Sequence, residues 1–454
     1  MYNQNAKPVL PEDVGSILKS LNQRGFEAYI VGGCVRDCII GRIPADWDIA
    51  TAALPEQVKG IFEKTVDTGL KHGTVTVMIG AESFEVTTFR VDGEYEDARH
   101  PSSVEFTTSI EDDLSRRDFT INAMAFHPDK EFVDPFGGIS DIERKLIRTV
   151  GGPDDRFQED ALRMLRAVRF SAQLGFSVED EILRSIRANS RLISSISSER
   201  VRDELTRILV SSEPLKFALL QETGLLKHII PEFERCFETP QNHPYHIYDV
   251  ALHSLHAVGE IENDRCLRWA MLLHDIGKSA TRTTDEKGVD HFYGHPVKSE
   301  ALAEVILKRL RFDNRSIDRI LRLIRLHDRE IVPTYKAVAR AVCAVGEDIF
   351  EDLLKVKAAD KMAQNPKYRD KGLHTVAEVK RIYLEMKGSG RCLGLKDLAI
   401  NGSDLIGTGW PQGREIGRAL KQLLERVIDE PGLNRKDRLL ELASELAIDR
   451  RPTK

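Results

Sequence analysis

The hydrophobic rhythm of this chain changes once, and that change limits what it can fold into. Residues 26 to 150 alternate short β-rich runs (AYIVGG, DWDIAT, TVTVMI, SFEVTTF) with helical or turn segments, whereas beyond about Asp155 apolar residues recur with the helical period. The pattern predicts an α+β chain: an α/β head followed by an all-α remainder. At 454 residues, with 41% apolar and 30% charged residues, several ordinary globular domains are expected. The Pro- and Asn-containing stretch 231–246 interrupts the helical pattern, and further breaks fall near Pro366 and at Gly388–Gly394. The expected division is a head at 1–150 and helical modules at 151–235, 236–370 and 371–454.

Composition excludes several classes. No run approaches the roughly 18 apolar residues of a membrane span, and the start MYNQNAKPVLPEDVGS has neither a basic nor an apolar leader segment. A cytoplasmic protein without a membrane partner is expected. Cys34, Cys38, Cys236, Cys266, Cys343 and Cys392 form no CxxC pair and read as reduced thiols. A formal charge of −6 argues against a uniformly basic nucleic-acid binder and shifts attention to local patterning. Arg315, Arg319, Arg322, Arg325 and Arg329 fall on one helical face, which suits either a phosphate track or a solvated surface.

The chemistry-bearing residues of the head begin with VGGCVRD (Val31–Asp37) and DWDIAT (Asp46–Thr51). On a strand, alternate residues face the same way, so Asp46 and Asp48 are expected to project together and share divalent ions. Such oxygen ligands suit two-metal phosphoryl transfer. Gly32 and Gly33, between an apolar strand and a helix beginning near Val35, would let backbone N–H groups approach a triphosphate. Taken singly, a Gly pair or a DxD is as readily a turn or a surface feature.

Taken together, GGCVRDCIIGRIPADWDIAT resembles the signature of class II tRNA nucleotidyltransferases (CCA-adding enzymes) and bacterial poly(A) polymerases, within the superfamily that includes DNA polymerase β. The resemblance continues through SFEVTTFR, RRDFTINAM (Arg116–Met124) and DPFGG (Asp134–Gly138). It implies a polymerase-β-like head, a helical neck at 151–235, and transfer of nucleoside monophosphates from CTP and ATP to a tRNA 3′ end. It further implies Asp46, Asp48 and Glu85 as the catalytic carboxylates, with Asp46 and Asp48 holding two Mg²⁺ ions. Gly32, Gly33, Arg36, Arg117, Asp118 and Asn122 would bind nucleotide, joined by Glu159, Asp160, Arg163, Arg166 and Arg169. On residue type alone, Arg116 and Arg117 are an exposed basic pair and Asn122 a cap.

EDALR (Glu159–Arg163) opens a strongly helical segment in which Asp160 and Arg163 are i and i+3 neighbours, a spacing that also makes a plain salt bridge. Cytosine and adenine each present an amine beside an unprotonated ring nitrogen. A carboxylate accepting from the amine and a guanidinium donating to the nitrogen would take C and A, and leave U and G with unpaired groups. The string resembles the amino-acid template of the class II family, where the Asp and Arg positions do this reading. RVDGEYEDARHP (Arg90–Pro101) is rich in charge, Gly and Pro and reads as a loop. It resembles the flexible loop of CCA- and A-adding members, implicating Arg90, Asp92, Asp97 and Arg99, and otherwise is a long surface connection.

In the third module, His253, His274, Asp275, His295, His327 and Asp360 are the right types for a metal. Their series resembles the HD phosphohydrolase superfamily, which implies an HD-type body, a second divalent site holding Ni²⁺ or Mn²⁺, and phosphoester hydrolysis on damaged RNA ends. An inherited scaffold with hydrogen-bonded histidines is the alternative. LKDLAINGSD (Leu395–Asp404) and GREIGRAL (Gly413–Leu420) resemble the tail of longer bacterial members, which would position tRNA, with Lys355, Lys357, Lys361, Arg369 and Lys371 available to phosphates. The expected assembly is a monomer or weak homodimer. The competing readings are an A-adding enzyme or poly(A) polymerase, an HD phosphohydrolase whose head only senses nucleotide, and an RNA-binding module without chemistry.

Overall fold

The computed structural model describes residues 8–93, 103–130 and 132–448. The chain forms two compact units, Met1–Pro231 and Glu232–Lys454.

In the first unit, α1 (Glu12–Gln23) buries Val14, Ile17, Leu18 and Leu21, the single apolar face of an amphipathic helix. β1 (Ala28–Val31) follows with every residue buried. Next come α2 (Gly33–Ile40), β2 (Ile49–Thr51), α3 (Pro55–Ile61), β3 (Thr65–Gly69), β4 (Thr74–Ile79) and β5 (Glu82–Thr88). A ribbon of β6 (Arg90–Asp92) and β7 (Val104–Phe106) leads to α4 (Ile110–Ser115) and β8 (Ala125–Phe126). The main sheet runs β3-β4-β5-β2-β1-β8 and is antiparallel except between β2 and β5. Tyr29, Val31, Ala50, Phe89, Leu114 and Ala123 share one apolar cluster between sheet and α4. Burial of a ring such as Phe89 contributes about 2–3 kcal/mol.

The helices α5 (Gly138–Arg144), α6 (Pro153–Glu159), α7 (Leu162–Leu174), α8 (Asp180–Asn189) and α9 (Ser198–Leu209) complete the part that matters for the site. α7 packs on α9, and a two-residue parallel pairing of Leu146–Ile147 with Ser177–Val178 ties the start of this region to the turn after α7.

In the second unit, the helices Val250–Glu260, Arg265–Leu273, His295–Arg309, Asn314–Leu326 and Glu347–Met362 surround a core containing Leu267, Trp269, Ile320, Leu323, Phe350 and Leu353. The helices Pro366–Gly388 and Arg414–Asp429 follow.

Several expectations are corrected. Asp46 and Asp48 precede β2 rather than alternating along it: strand pairing begins only at Ile49, where buried side chains begin. α2 starts at Gly33, two residues before Val35, because Gly32 at φ 77° and ψ −130° makes a turn that L side chains rarely adopt. Arg90–Asp92, expected as loop, is a strand paired with Val104–Phe106. Asp97 and Arg99 lie outside the described residues. EDALR is not one helix: α6 ends at Glu159, and Asp160 is extended at φ −144° and ψ 104°. A boundary at 370/371 falls inside the helix Pro366–Gly388, whose first residue is a proline in the turn where its missing N–H is unneeded. Three of the five arginines of the stripe are ion-paired. Arg319 pairs with Asp352 at 2.6 Å, Arg322 with Asp348 at 2.7 Å and Arg325 with Glu300 at 2.7 Å.

Candidate functional site

Backbone pairing at the end of β1 brings the head motifs together. The Val31 N–H donates to the Asp48 carbonyl at 3.0 Å and the Gly32 N–H to the Met124 carbonyl at 3.1 Å. The glycine turn, the aspartates and the RRDFTINAM segment therefore meet at one place. Glu85 and Asp48 immediately precede the parallel pair Val86↔Ile49 on neighbouring strands. The Asp48 carboxyl is raised from its ordinary value by partial loss of water; Arg117 opposes the rise and the Asp46 charge adds to it.

Beside these residues lies a cleft of about 510 Å³. Its wall carries Gly32, Gly33, Asp48, Asp118, Asn122 and Asp160, and eight arginines: Arg36, Arg116, Arg117, Arg163, Arg166, Arg169, Arg200 and Arg207. Asp46 and Glu85 are exposed and stand outside this wall. So much cationic charge around so few acids suits a polyanion.

Most of these arginines are held by protein partners. Asp113, buried on α4, holds Arg116 at 2.8 Å and Arg117 at 3.2 Å. Arg36 donates to Asn122 Oδ1 at 2.6 Å and to Asp37 at 2.8 Å. Asp118 accepts from Arg166 Nε at 2.7 Å and from the Phe119 N–H at 2.8 Å. Burial works to raise Asp118, but Arg166 and Arg163 outweigh it and hold the carboxyl at about 2. Phe170 is a common platform, with the guanidinium of Arg169 3.9 Å, Arg166 5.3 Å and Arg36 5.4 Å from its centroid. Arg169 also pairs with buried Glu204 at 2.6 Å, which makes it a supporting residue as much as a lining one.

Asp160 and Arg163 both face the cleft and do not pair with each other. Asp160 accepts from the Leu162 N–H at 3.0 Å and from Arg200 on α9 at 2.8 Å. Arg163 donates to Glu159 Oε2, and Arg156 donates to the same oxygen at 2.9 Å. Glu159 is thus behind the wall rather than in it. A carboxylate has about four acceptor sites and a guanidinium five N–H donors, so each group keeps capacity for a ligand.

In the second unit the six predicted residues converge. His253 Nε2 is 3.0 Å from Asp360 Oδ1; His274 Nε2 is 3.3 Å from Asp275 Oδ2; His295 and His327 Nε2 lie 3.2 and 3.5 Å from Asp275 Oδ1. Two ligand groups result, His253–His274–Asp275–Asp360 and Asp275–His295–His327, sharing Asp275. His274, His295 and His327 each donate Nδ1–H to a carbonyl three residues back, at 2.7, 2.9 and 2.7 Å. In the neutral rings the Nε2 lone pairs therefore face carboxylate oxygens and, between His295 and His327, each other at 3.2 Å. Lone pair against lone pair in a buried site calls for a cation. His274 Nε2 and Asp275 Oδ1 are buried without a hydrogen-bond partner, which fits a bound metal. Without metal a proton takes that role: burial would lower His274, but Asp275 and Asp360 outweigh it and raise the ring to about 10.

Three families match successive parts of the chain: the Poly A polymerase head domain over residues 28–148, a probable RNA and SrmB-binding site of polymerase A over 175–237, and the HD domain over 244–365. A crystal structure of the Bacillus stearothermophilus CCA-adding enzyme in complex with CTP is 30% identical, with 97% of this chain and 99% of that one covered at a TM-score of 0.74. This chain belongs to the CCA-adding enzyme family. The CCA-adding enzyme of Geobacillus thermodenitrificans is 52% identical over 226 residues, 49% of this chain and 55% of that protein. That of Lactobacillus johnsonii is 49% identical over 214 residues, 47% and 54% respectively. The matched segment thus spans about half the length of these curated relatives. The fold is shared with a Thermotoga maritima CCA-adding enzyme complexed with tRNA, at a TM-score of 0.57 and 21% identity. No helix among the described residues is long and apolar enough to cross a membrane.

The CCA-adding family motifs lead to most of the cleft but not to all of it. Arg200, Arg207 and Phe170 line it from outside the strings that carry the resemblance. Arg200 lies 40 positions beyond Asp160, and nothing local marks the pairing. In the body, Lys278 sits 2.7 Å from Asp275 and donates to Gln241 at 2.8 Å; its place directly after HDIG was the available signal.

Proposed function

We propose that this protein adds cytidylate and adenylate to tRNA 3′ ends, using CTP and ATP without a nucleic-acid template. The carrying observation is that Asp160 and Arg163 face one arginine-lined cleft with separate partners, leaving acceptor and donor capacity side by side. Arg36, Arg117 and Arg166 are positioned to bind a triphosphate, and the Gly32 turn keeps side chains out of its way. Asp160 accepts from the exocyclic amine of cytosine or adenine while Arg163 donates to the adjacent ring nitrogen. The RNA 3′ oxygen bonds to the α-phosphorus, the α–β P–O bond breaks, and pyrophosphate departs with the electron pair. Asp46, Asp48 and Glu85 are an all-oxygen donor set open to water, which suits hydrated Mg²⁺; bound there, the ions would neutralise the triphosphate and acidify the attacking hydroxyl. The head and neck residues of this reading all fall in the first unit.

The test incubates the protein and Mg²⁺ with tRNA transcripts ending at the discriminator base or at CC, with CTP, ATP or both. Growth by three nucleotides only with both substrates is the expected result. A-only extension of the CC transcript would assign an A-adding enzyme instead, and long adenylate tails a poly(A) polymerase. Shortening residues 90–101 is expected to spare CC addition and stop A addition.

A second reading is favoured by the facing lone pairs of the body: a divalent-metal phosphohydrolase. His253, His274, Asp275 and Asp360 would hold one ion and Asp275, His295 and His327 another, Ni²⁺ or Mn²⁺ by the imidazole-rich donor set. Hydrolysis of 2′,3′-cyclic AMP that survives Asp46→Asn and disappears in Asp275→Ala supports it; hydrolysis lost in Asp46→Asn assigns the chemistry to the head.

A further inference from the structure

Arg156, on α6, stands outside the cleft wall and is largely buried, its side chain 17% exposed. Its guanidinium nonetheless spends its three nitrogens on three separate segments. Nε donates to the Val150 carbonyl at 2.7 Å, Nη2 to the Ser115 carbonyl at 2.8 Å, and Nη1 to the two Glu159 oxygens at 3.0 and 2.9 Å. Each partner belongs to one half of the cleft machinery. Ser115 ends α4 and directly precedes Arg116 and Arg117. Val150 is knitted to the same strap, because its N–H donates to the Asp118 carbonyl at 3.2 Å. Glu159 accepts from Arg163, whose own Nη2 reaches the Arg116 carbonyl at 3.3 Å. An ordinary i,i+3 pair on α6 needs only the Glu159 contact; the two carbonyl bonds reach beyond the helix. A guanidinium is a rigid plane, so its three partners cannot shift independently of one another.

We propose that Arg156 is a positioning residue that sets the span between the base-reading pair, Asp160 and Arg163, and the triphosphate-binding Arg117, so that one nucleotide engages both at once. Arg156 itself touches no substrate. The inference rests on the nucleotide-transfer reading above and adds to it a residue outside every string that carries the family resemblance. A nucleoside triphosphate has a fixed reach from its base edge to its phosphates, and a misplacement of about 1 Å in such a site costs up to roughly 100-fold. Loosening the span therefore leaves each half of the site able to bind and spoils their joint fit.

The test compares a ligand that needs both halves of the site with one that needs a single half. Titration calorimetry on the full chain with Mg²⁺ measures CTP and inorganic tripolyphosphate against the wild type, Arg156→Lys and Arg156→Ala. Lysine keeps the charge and the reach to Glu159 but offers one ammonium where three nitrogens stood. Thermal unfolding establishes that each variant is folded, and Arg156→Lys decides alone where the alanine variant is not. The dissociation constant for CTP is expected to rise about 5- to 100-fold in both variants, while that for tripolyphosphate stays within about 2-fold of wild type. Equal weakening of the two ligands, which a general loss of structure would give, overturns the span. Wild-type CTP affinity in both variants overturns it too, and full recovery in Arg156→Lys reduces the residue to a charge partner of Glu159. A wild-type chain that binds CTP in this Arg156-dependent way yet extends no tRNA sinks the transfer reading alone. CCA addition with CTP binding indifferent to Arg156 sinks the span alone, and no CTP binding in the wild type sinks both.

Discussion

Asp160 and Arg200 are joined by a 2.8 Å hydrogen bond across 40 positions of sequence, and that bond orients the carboxylate that faces the cleft. Removing Arg200 leaves Asp160 held only by the Leu162 N–H. In an assay offering all four triphosphates to a tRNA substrate, Arg163→Ala is expected to admit UTP and GTP while still releasing pyrophosphate. Loss of one of two reading groups is worth about 1–3 kcal/mol, or roughly 5- to 150-fold in discrimination. Arg200→Ala is expected to give a smaller loss in the same direction. An unchanged nucleotide spectrum in both variants would refute the reading role.

Gly32 leaves no room for a side chain. A Cβ placed there meets Arg117 Nη1 at 2.7 Å, at a φ of +77°. Gly32→Ala should strain the backbone by about 1–3 kcal/mol and push Arg117 out of the cleft. Thermal unfolding and the KM for CTP read the two effects separately, and a rise in KM of at least several-fold is expected. Normal KM with lowered stability would mean Arg117 does not touch the triphosphate.

Asp118 sets an acid limit on the first unit. Its folded value of about 2 lies below the ordinary carboxylate value, so its contribution is present at neutral pH and is lost as the pH falls from about 4 through 2. The contribution is on the order of 2 kcal/mol. Urea unfolding at pH 7 should find Asp118→Asn less stable by about that amount, because Arg166 loses its carboxylate. Between pH 4 and 2 the variant should lose stability less steeply than the wild type. Parallel pH profiles would show that the Asp118–Arg166 pair does not carry the effect.

How far these residues were legible depends on whether their signal is local. The residues of VGGCVRD and DWDIAT stand at short spacings, and the structure brings Gly32, Gly33, Arg36 and Asp48 to one cleft, with Asp46 outside its wall. Thr65–Gly69 was not anticipated as a strand because TVDTG sits at the sheet edge with little to bury, so it lacks the apolar alternation that marks a strand. The arginines at 319, 322 and 325 carried a true helical periodicity, but their partners Asp352, Asp348 and Glu300 belong to other helices. Periodicity identifies a face; it does not name what the face meets. The same limit hid Glu159, whose neighbour Asp160 has a nearly identical side chain and an opposite task.

Metal should stabilise the second unit by filling the space between its imidazoles. At free metal near 100 times the dissociation constant the gain is about 2.7 kcal/mol, seen as a rise in melting temperature that EDTA reverses. Asp275 belongs to both ligand groups, so Asp275→Ala should abolish the rise, whereas His295→Ala should remove only part of it. An equal rise in wild type and Asp275→Ala would place the ion elsewhere.

The end of α6 has a consequence for how this chain can vary. Because the helix stops at Glu159 and Asp160 is extended, two consecutive acids look in different directions: one backs an arginine and the other fronts the cleft. A chain with the order reversed, Asp then Glu, would keep its mass, charge and hydropathy, and every compositional measure would pass it as the same protein. The cleft would nonetheless differ, with a longer acidic arm reaching into it and a shorter one falling short of Arg163.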